Sequence, residues 1–274
     1  MHRLTMNTIF LKLGGSLITD KTAIESVRED VLVRVAAEIG QARAANPDLR
    51  LVLGHGSGSF GHVAGAKFGT RQGVATQTQW RGFAEVSAAA SRLNAIVVNA
   101  LLAAGVPALR LQPSASAICF DGQIQTLAVQ PVQMALAAGL VPVVFGDVAF
   151  DTFRGGTIIS TEEVMMALAD VIRPSWLLLA GETAGVLDLQ GNVVPLITEA
   201  SLPTIAPALS GSRGTDVTGG MASKVRSMLD LTAQQTELSI RIFSGLPAGE
   251  MKQTLLEPAT ASGTVLRKWV AAAN

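Results

Sequence analysis

Short runs of β-branched residues and leucine alternate along this chain with longer stretches in which apolar residues return every three or four positions. The first kind of run reads as strand and the second as amphipathic helix. Residues 9–13 form a first strand ending at Gly14-Gly15, and residues 29–45 a helix with Val31, Val35 and Ile39 along one face. Residues 51–53 are a buried strand that runs straight into a glycine-rich loop. Residues 82–104 are a long alanine-rich helix closed by Gly105, a residue free to take the left-handed conformation that ends helices. Strands follow at 106–111 and 117–120, and Asp121-Gly122 turns the chain as a hairpin into 124–127.

The second half keeps the alternation. A helix over 131–138 stops at Gly139, and a fully apolar strand occupies 141–145. Ser160, with Glu163 three residues on, carries the capping-box signature and starts another helix. A strand at 176–180, a helix at 219–234 and a strand at 239–243 complete the pattern. Alternation of this kind predicts an α/β fold, a mainly parallel sheet covered by helices on both faces. No repeat, low-complexity tract or linker divides the chain, so residues 1–274 read as one unit with two lobes, about 1–150 and 151–274. Ligands of open parallel sheets bind beyond the carboxyl ends of the strands. The glycines and isolated cations of this sequence fall there.

Hydrophobic residues make up 49% of the chain and charged residues 15%, which suits a large buried sheet and excludes disorder. Lys plus Arg and Asp plus Glu both number 21, so no global field attracts nucleic acid or an anionic membrane. Phosphates must therefore be gathered by a few local cations and backbone amides. No uninterrupted apolar run reaches the roughly 18 residues that span a bilayer. The first eight residues lack the apolar region of a secretory signal, and a cytoplasmic protein is expected. Cys119, the single cysteine, lies in an apolar stretch and reads as a buried structural thiol.

Three glycine clusters carry the candidate chemistry. The first is Lys12-Leu13-Gly14-Gly15-Ser16, with Lys21 nine residues beyond Lys12. Glycines let the backbone approach an anion closely, and Lys12 sits among apolar neighbours, a costly place for an ammonium without a purpose. The second runs from Gly54 to His62 and contains a literal G-x-G-x-x-G at Gly56, Gly58 and Gly61. A dinucleotide fingerprint needs a helix straight after the glycines and a compact βαβ unit, with an acid ending its second strand about 20 residues on. A polar stretch follows here instead, and that reading is rejected. His62, in a strand-to-loop turn after small residues, can donate an N–H to a phosphate oxygen. The third cluster is Asp216-Val217-Thr218-Gly219-Gly220-Met221 with Lys224 beyond it, a helix N-terminus suited to a phosphate tail. No Walker A sequence occurs, and the protein-kinase motif set is missing.

Together these residues resemble the amino-acid-kinase superfamily and, within it, the isopentenyl phosphate kinases. The resemblance covers nearly the whole chain: Leu11 to Ser16 with Lys21, the His55 to His62 loop, Gly146-Asp147-Val148, Ile158-Ile159-Ser160, and Ser210 to Lys224. It implies an αβα sandwich, a homodimer, ATP near the C-terminal half and the acceptor near the N-terminal half. It implies that isopentenyl monophosphate becomes the diphosphate with MgATP as donor, and no residue is assigned as a metal ligand. By matching position, His62 would bind the acceptor phosphate, Lys12 and Lys224 would stabilise the transferring phosphoryl group, and Lys21 would hold nucleotide phosphates. Gly14, Gly15, Ser16, Gly58, Gly219 and Gly220 would contact the nucleotide, with Glu162 orienting lysines. Gly56, Ser57, Gly61, Gly146 and Asp147 would shape the acceptor pocket, and Phe83 and Val86 would wall a hydrocarbon site.

The chain departs from the family's pattern in four places. The glycine triplet becomes Gly56-Ser57-Gly58, whose hydroxymethyl group could crowd the acceptor. S-G-D becomes Ser160-Thr161-Glu162, the nucleotide-side T-D-V-D-G becomes Gly181-Glu182-Thr183-Ala184-Gly185, and the first lysine of M-K-x-K is Ala222. Two further readings stay open: a kinase of the same fold for a phosphonate such as fosfomycin, and a non-catalytic nucleotide-binding or storage protein.

Overall fold

The computed structural model describes residues 8–20, 22–209 and 220–268; within the helix at 58–68 it describes the backbone but not the side chains of residues 62–64, 66 and 67. In chain order the elements begin with β1 (Thr8–Leu13), the one-turn α1 (Gly15–Ile18), short strands β2 (Thr19–Asp20) and β3 (Ser26–Val27), α2 (Glu29–Ala45) and β4 (Arg50–His55). Next come α3 (Gly58–Phe68), α4 (Gln77–Ala103), β5 (Ala108–Arg110), β6 (Ile118–Phe120), β7 (Gln123–Thr126), α5 (Gln130–Ala137) and β8 (Val141–Phe145). β9 (Asp147–Asp151), β10 (Gly155–Ile159), α6 (Thr161–Ile172), β11 (Trp176–Gly181) and β12 (Leu196–Ile197) follow. The chain closes through α7 (Leu202–Leu209), α8 (Gly220–Gln234), β13 (Ser239–Ser244), α9 (Glu250–Leu256) and β14 (Thr264–Leu266).

Among the described residues eight strands form one sheet in the order β12-β14-β13-β11-β1-β4-β8-β5, parallel at every pairing but β13 with β14. The period of two in β1 explains its central place. Ile9, Leu11 and Leu13 face one way, into a core with Leu32, Val35 and Ile39 of α2 and Leu93 and Val97 of α4. Phe10 faces the other way, into a core with Val164, Met165 and Leu168 of α6 and Val225 and Met228 of α8. Both faces are covered, which is the expected αβα sandwich. Lys12 shares the register of Phe10 and so rises on the α6 and α8 side.

A second sheet, β10-β9-β6-β7, was not foreseen. Its β6–β7 turn is the expected hairpin, with Asp121 and Gly122 both at positive φ. Asp151 binds it to the β9–β10 hairpin, accepting from the backbone N–H groups of Asp121, Gly122, Phe153 and Arg154 at 2.7–3.1 Å. Cys119 lies buried beneath, as expected, and burial pushes its thiol up to about 11.

Two expectations are corrected. The segment that holds Gly58, Gly61 and His62, read as a strand-to-loop turn, is a helix, α3; its glycines had masked the helical pattern. The dinucleotide reading therefore fails on its other ground: the next strand after the glycines starts only at Ala108. The long helix begins at Gln77, not at residue 82, because Thr76 and Gln79 form a capping box. Gly82 lies inside the helix since the Phe68 ring occupies the space a Cβ would need, 2.2 Å away. Among the described residues α4 is the helix long and apolar enough to cross a bilayer, but it packs against α2, α3 and β5 as a core helix.

Candidate active site

The carboxyl ends of β1, β4, β8 and β11 bring the first two glycine clusters together. Gly14 N donates to Ala180 O at 2.8 Å, and Gly56 N to Leu13 O at 2.9 Å. The loops then meet backbone to backbone: a Cβ on Gly15 would lie 2.4 Å from Gly58 N, and one on Gly56 2.8 Å from Gly15 N. Gly58 has φ +48°, and its missing Cβ would stand 1.9 Å from Thr19 Oγ1. That hydroxyl donates to Gly15 O at 2.7 Å and accepts from Ser59 N at 2.9 Å, pinning α1 to α3. Gly58→Ala combines a disfavoured φ with loss of this clamp, so we expect urea unfolding to show about 2–4 kcal/mol of lost stability.

Three charged groups converge beside these loops. Lys12, buried in β1, donates from Nζ to Glu162 Oε1 at 2.5 Å, and Lys224 Nζ lies 3.7 Å from the same oxygen. Local sequence explains the meeting. Gly54 pairs with Lys12, and a Cβ there would strike Met165 and Thr161 at 2.7 Å, so glycine lets the start of α6 settle on the sheet. Ser160 caps that helix in the expected box with Glu163, which leaves Glu162 in its first turn. Burial alone would raise the Glu162 carboxyl, but the charges of Lys12 and Lys224 and the Lys12 hydrogen bond outweigh it and hold the group at about 2. The carboxylate is ionised and keeps two ammoniums close to each other. Ala222, at the position of the missing family lysine, packs on the core instead.

The residues expected on the acceptor side also gather. Asp147 is buried, with Oδ2 accepting from Gln112 Nε2 at 3.1 Å and Ser114 N at 3.3 Å, and Oδ1 from Val148 N at 2.8 Å. It ties the segment at 112–114 to β9. Gly146 N donates to Thr161 Oγ1 at 2.9 Å, which itself donates to His55 O at 2.6 Å. Phe83 and Val86 lie in a small apolar cluster with Val74, Val148, Trp80 and Ile158, separate from both main cores. The Ser57 side chain leans onto Gly61, where a Cβ would meet Ser57 Oγ at 2.3 Å. Glu182, in the altered nucleotide-side segment, pairs with Arg28 at 2.7 Å.

Lys21, Gly219 and the side chain of His62 lie outside the described residues; the His62 backbone is in the first turns of α3. Ser16 lies in α1, directly after the first glycine pair, and Gly220 opens α8. Sequence reasoning gave no role to His55, Asn94, Thr161 or Arg71. His55 is fully buried, and burial, aided by the charge of Lys12 against a hydrogen bond to Gly56, drives its imidazole down to about 4. Arg71 makes a paired contact with Glu163 (Nη1–Oε2 3.0 Å, Nη2–Oε1 2.6 Å), strapping the α3–α4 connection to α6. A polar Asn94 on the apolar face of α4, and a histidine ending a strand of leucines, were the available signals.

Among known proteins, residues 7–244 match the sequence profile of the amino acid kinase family. An isopentenyl phosphate kinase of Haloferax volcanii is 37% identical over 252 residues, covering 92% of this chain and 99% of the relative. One from Methanothermobacter thermautotrophicus is 34% identical over 259 residues, covering 90% and 95%. A solved structure titled "X-ray structures of isopentenyl phosphate kinase" superposes with a TM-score of 0.79 at 29% identity, over 95% of this chain and all of that one.

Proposed function

The chain belongs to the amino acid kinase family, and within it we propose that it transfers the γ-phosphoryl group of ATP to isopentenyl phosphate, giving the diphosphate and ADP. The observation that carries this is the group Lys12–Glu162–Lys224 set at the carboxyl edge of the sheet beside two interlocked glycine loops. Phosphoryl transfer asks for positioning and for positive charge on the moving group, and little covalent help from the protein.

An oxygen of the acceptor phosphate bonds to the γ-phosphorus as the bond to the β–γ bridging oxygen breaks, and the electron pair leaves with ADP. Lys12 and Lys224 stabilise the equatorial oxygens, and Glu162 keeps both ammoniums aimed and charged. Lys21, Gly14, Gly15, Ser16, Gly58, Gly219 and Gly220 hold the nucleotide phosphates. His62, Gly56, Ser57, Gly61, Gly146 and Asp147 form the acceptor's phosphate end.

Two further features favour a phosphate acceptor. A phosphate monoester is already anionic near neutral pH, so it needs no general base. The carboxylates of Glu162 and Asp147 are accordingly engaged, Glu162 by lysines and Asp147 by three N–H groups. The apolar cluster around Phe83 and Val86 suits a short branched hydrocarbon better than a small polar epoxide. Among the described residues no cluster of His, Cys, Asp or Glu is fit to hold a metal. Mg²⁺ enters with ATP, as part of the substrate. A homodimer in the cytoplasm completes the proposal.

The test is ADP release from MgATP with isopentenyl phosphate, dimethylallyl phosphate and fosfomycin as separate acceptors. Turnover with the isoprenoid phosphates at least 100-fold above fosfomycin is expected. Turnover with fosfomycin alone moves the substrate, and silence with all three in a protein that binds ATP supports the non-catalytic reading.

A further inference from the structure

The interior of the sheet's carboxyl edge holds a polar pair that the phosphoryl-transfer scheme leaves unused. His55 is the last residue of β4, and its ring lies flat on Phe145, with centroids 5.6 Å apart and planes 8° apart. Its Nδ1 is 3.1 Å from Gly56 O, and its Nε2 is 3.0 Å from Asn94 Nδ2. A carbonyl only accepts, so the proton sits on Nδ1, and Nε2 offers its lone pair to the Asn94 amide. Turning the amide over would face Asn94 Oδ1 to that lone pair, so this orientation and this tautomer require each other. Asn94 Oδ1 is buried with no hydrogen-bond partner, which indicates that the amide is kept for its N–H.

The consequence falls on the glycine loop. In a trans peptide the carbonyl oxygen and the following N–H point to opposite sides, and the described chain contains no cis bond. With Gly56 O drawn inward to His55, the N–H of Ser57 turns outward at the end of β4. Of the amides around it, Gly56 N donates to Leu13 O, Ser59 N to Thr19 Oγ1 and Phe60 N to Ser57 O, while Gly58 N, like Ser57 N, is uncommitted among the described residues. Ser57 N–H has no partner among the described residues. Backbone amides so exposed at the mouth of a helix suit an anion.

We propose that His55, fixed by Asn94, is a positioning residue that aims the Ser57 N–H at the acceptor's phosphate. The pair also joins the two ends of the acceptor site. Asn94 lies eleven residues, about three helical turns, beyond Phe83 on one face of α4. A helix that walls the hydrocarbon thereby sets the loop that receives the phosphate. This also accounts for the tolerance of serine at position 57: what the loop contributes there is an amide, while the side chain rests on Gly61.

The inference rests on the phosphate acceptor proposed above, and steady-state kinetics with isopentenyl phosphate and MgATP test it. His55→Leu keeps bulk but has no donor; we expect the acceptor KM to rise at least 10-fold while the ATP KM stays within 2-fold. His55→Asn returns an N–H near the Nδ1 position and should recover most of the loss. Asn94→Leu, which frees the ring but retains it, should raise the acceptor KM several-fold, and it decides the matter if His55→Leu does not fold. Equal changes in both KM values, or a fall confined to melting temperature and active fraction, would make His55 a core residue only and overturn the proposal. A wild-type protein that turns over no acceptor at all would instead sink the kinase reading, and this one with it.

Discussion

Lys12→Met should lower kcat with isopentenyl phosphate and MgATP by at least about 1000-fold, some 4 kcal/mol of transition-state stabilisation, while the protein remains folded. The contrast follows from where Lys12 sits. Its neighbours along β1 and in the paired strands are Leu11, Leu13, Leu179 and Gly54, and its side chain is only 10% exposed. Methionine fills that channel with similar length and no charge to desolvate, so packing survives. Glu162 retains Lys224 at 3.7 Å and is not left alone. What disappears is a cation held at the carboxyl edge between the two glycine loops. Far-ultraviolet melts read beside the kinetics should show a midpoint within a few degrees of wild type. A kcat within 10-fold of wild type would reduce Lys12 to a structural ion-pair partner and remove the main support for the proposed chemistry.

Much of this site could be read before the fold was known, and the reasons are local. The helix at Glu29–Ala45 and the strand at Val141–Phe145 have the bounds that their spacing predicts, because each carries one clear period and a clean end. The capping box at Ser160 fixed the start of α6, and with it the place of Glu162, from four residues of sequence. Long-range features were hidden. α3 was missed because Gly58, Gly61 and Gly65 look like loop, yet each glycine answers to a neighbour far away or one turn back: Thr19, Ser57 and Ile158. Gly82 seemed a boundary for the same reason, when its partner is Phe68. The second sheet escaped notice because its β6–β7 hairpin was read by itself, and because β9 and β10 follow β8 with no helix between; the side chain of Asp151 joins the two hairpins.

The departures from the family pattern make physical sense together. With Ala222 packed on the core, α8 sends one lysine, Lys224, toward the first turn of α6. A glutamate there reaches farther than an aspartate, and its Oε1 serves both Lys12 and Lys224. Fewer cations and a longer acid are thus compatible changes. At Glu182 the altered segment gains a partner of its own in Arg28, which ties the end of β11 to the start of α2. Each change keeps the charges at the sheet edge paired.

Glu162→Gln should destabilise the protein at pH 7 by on the order of 3 kcal/mol and cut kcat by at least 100-fold, and the stability loss should vanish in acid. The carboxyl is held at about 2, below its ordinary 4.5, by the two lysines. A group with a depressed folded pKa contributes stability that is fully present above about 4.5 and is lost as pH falls toward 2. A tenfold difference in proton affinity between the folded and unfolded chain is worth about 1.4 kcal/mol, which gives the expected size. Glutamine keeps the shape and removes the charge, so the wild-type and variant curves of unfolding free energy, measured in urea between pH 7 and 2.5, should converge as pH drops. The buried Lys12 ammonium explains the magnitude, because a buried charge stripped of its partner costs more than the intact pair contributes. Adding Lys12→Met to Glu162→Gln should therefore restore stability without restoring turnover. A gap between the two curves that stays constant with pH would mean that Glu162 acts through packing alone, and the charge-holding role at the centre of the proposed site would fall.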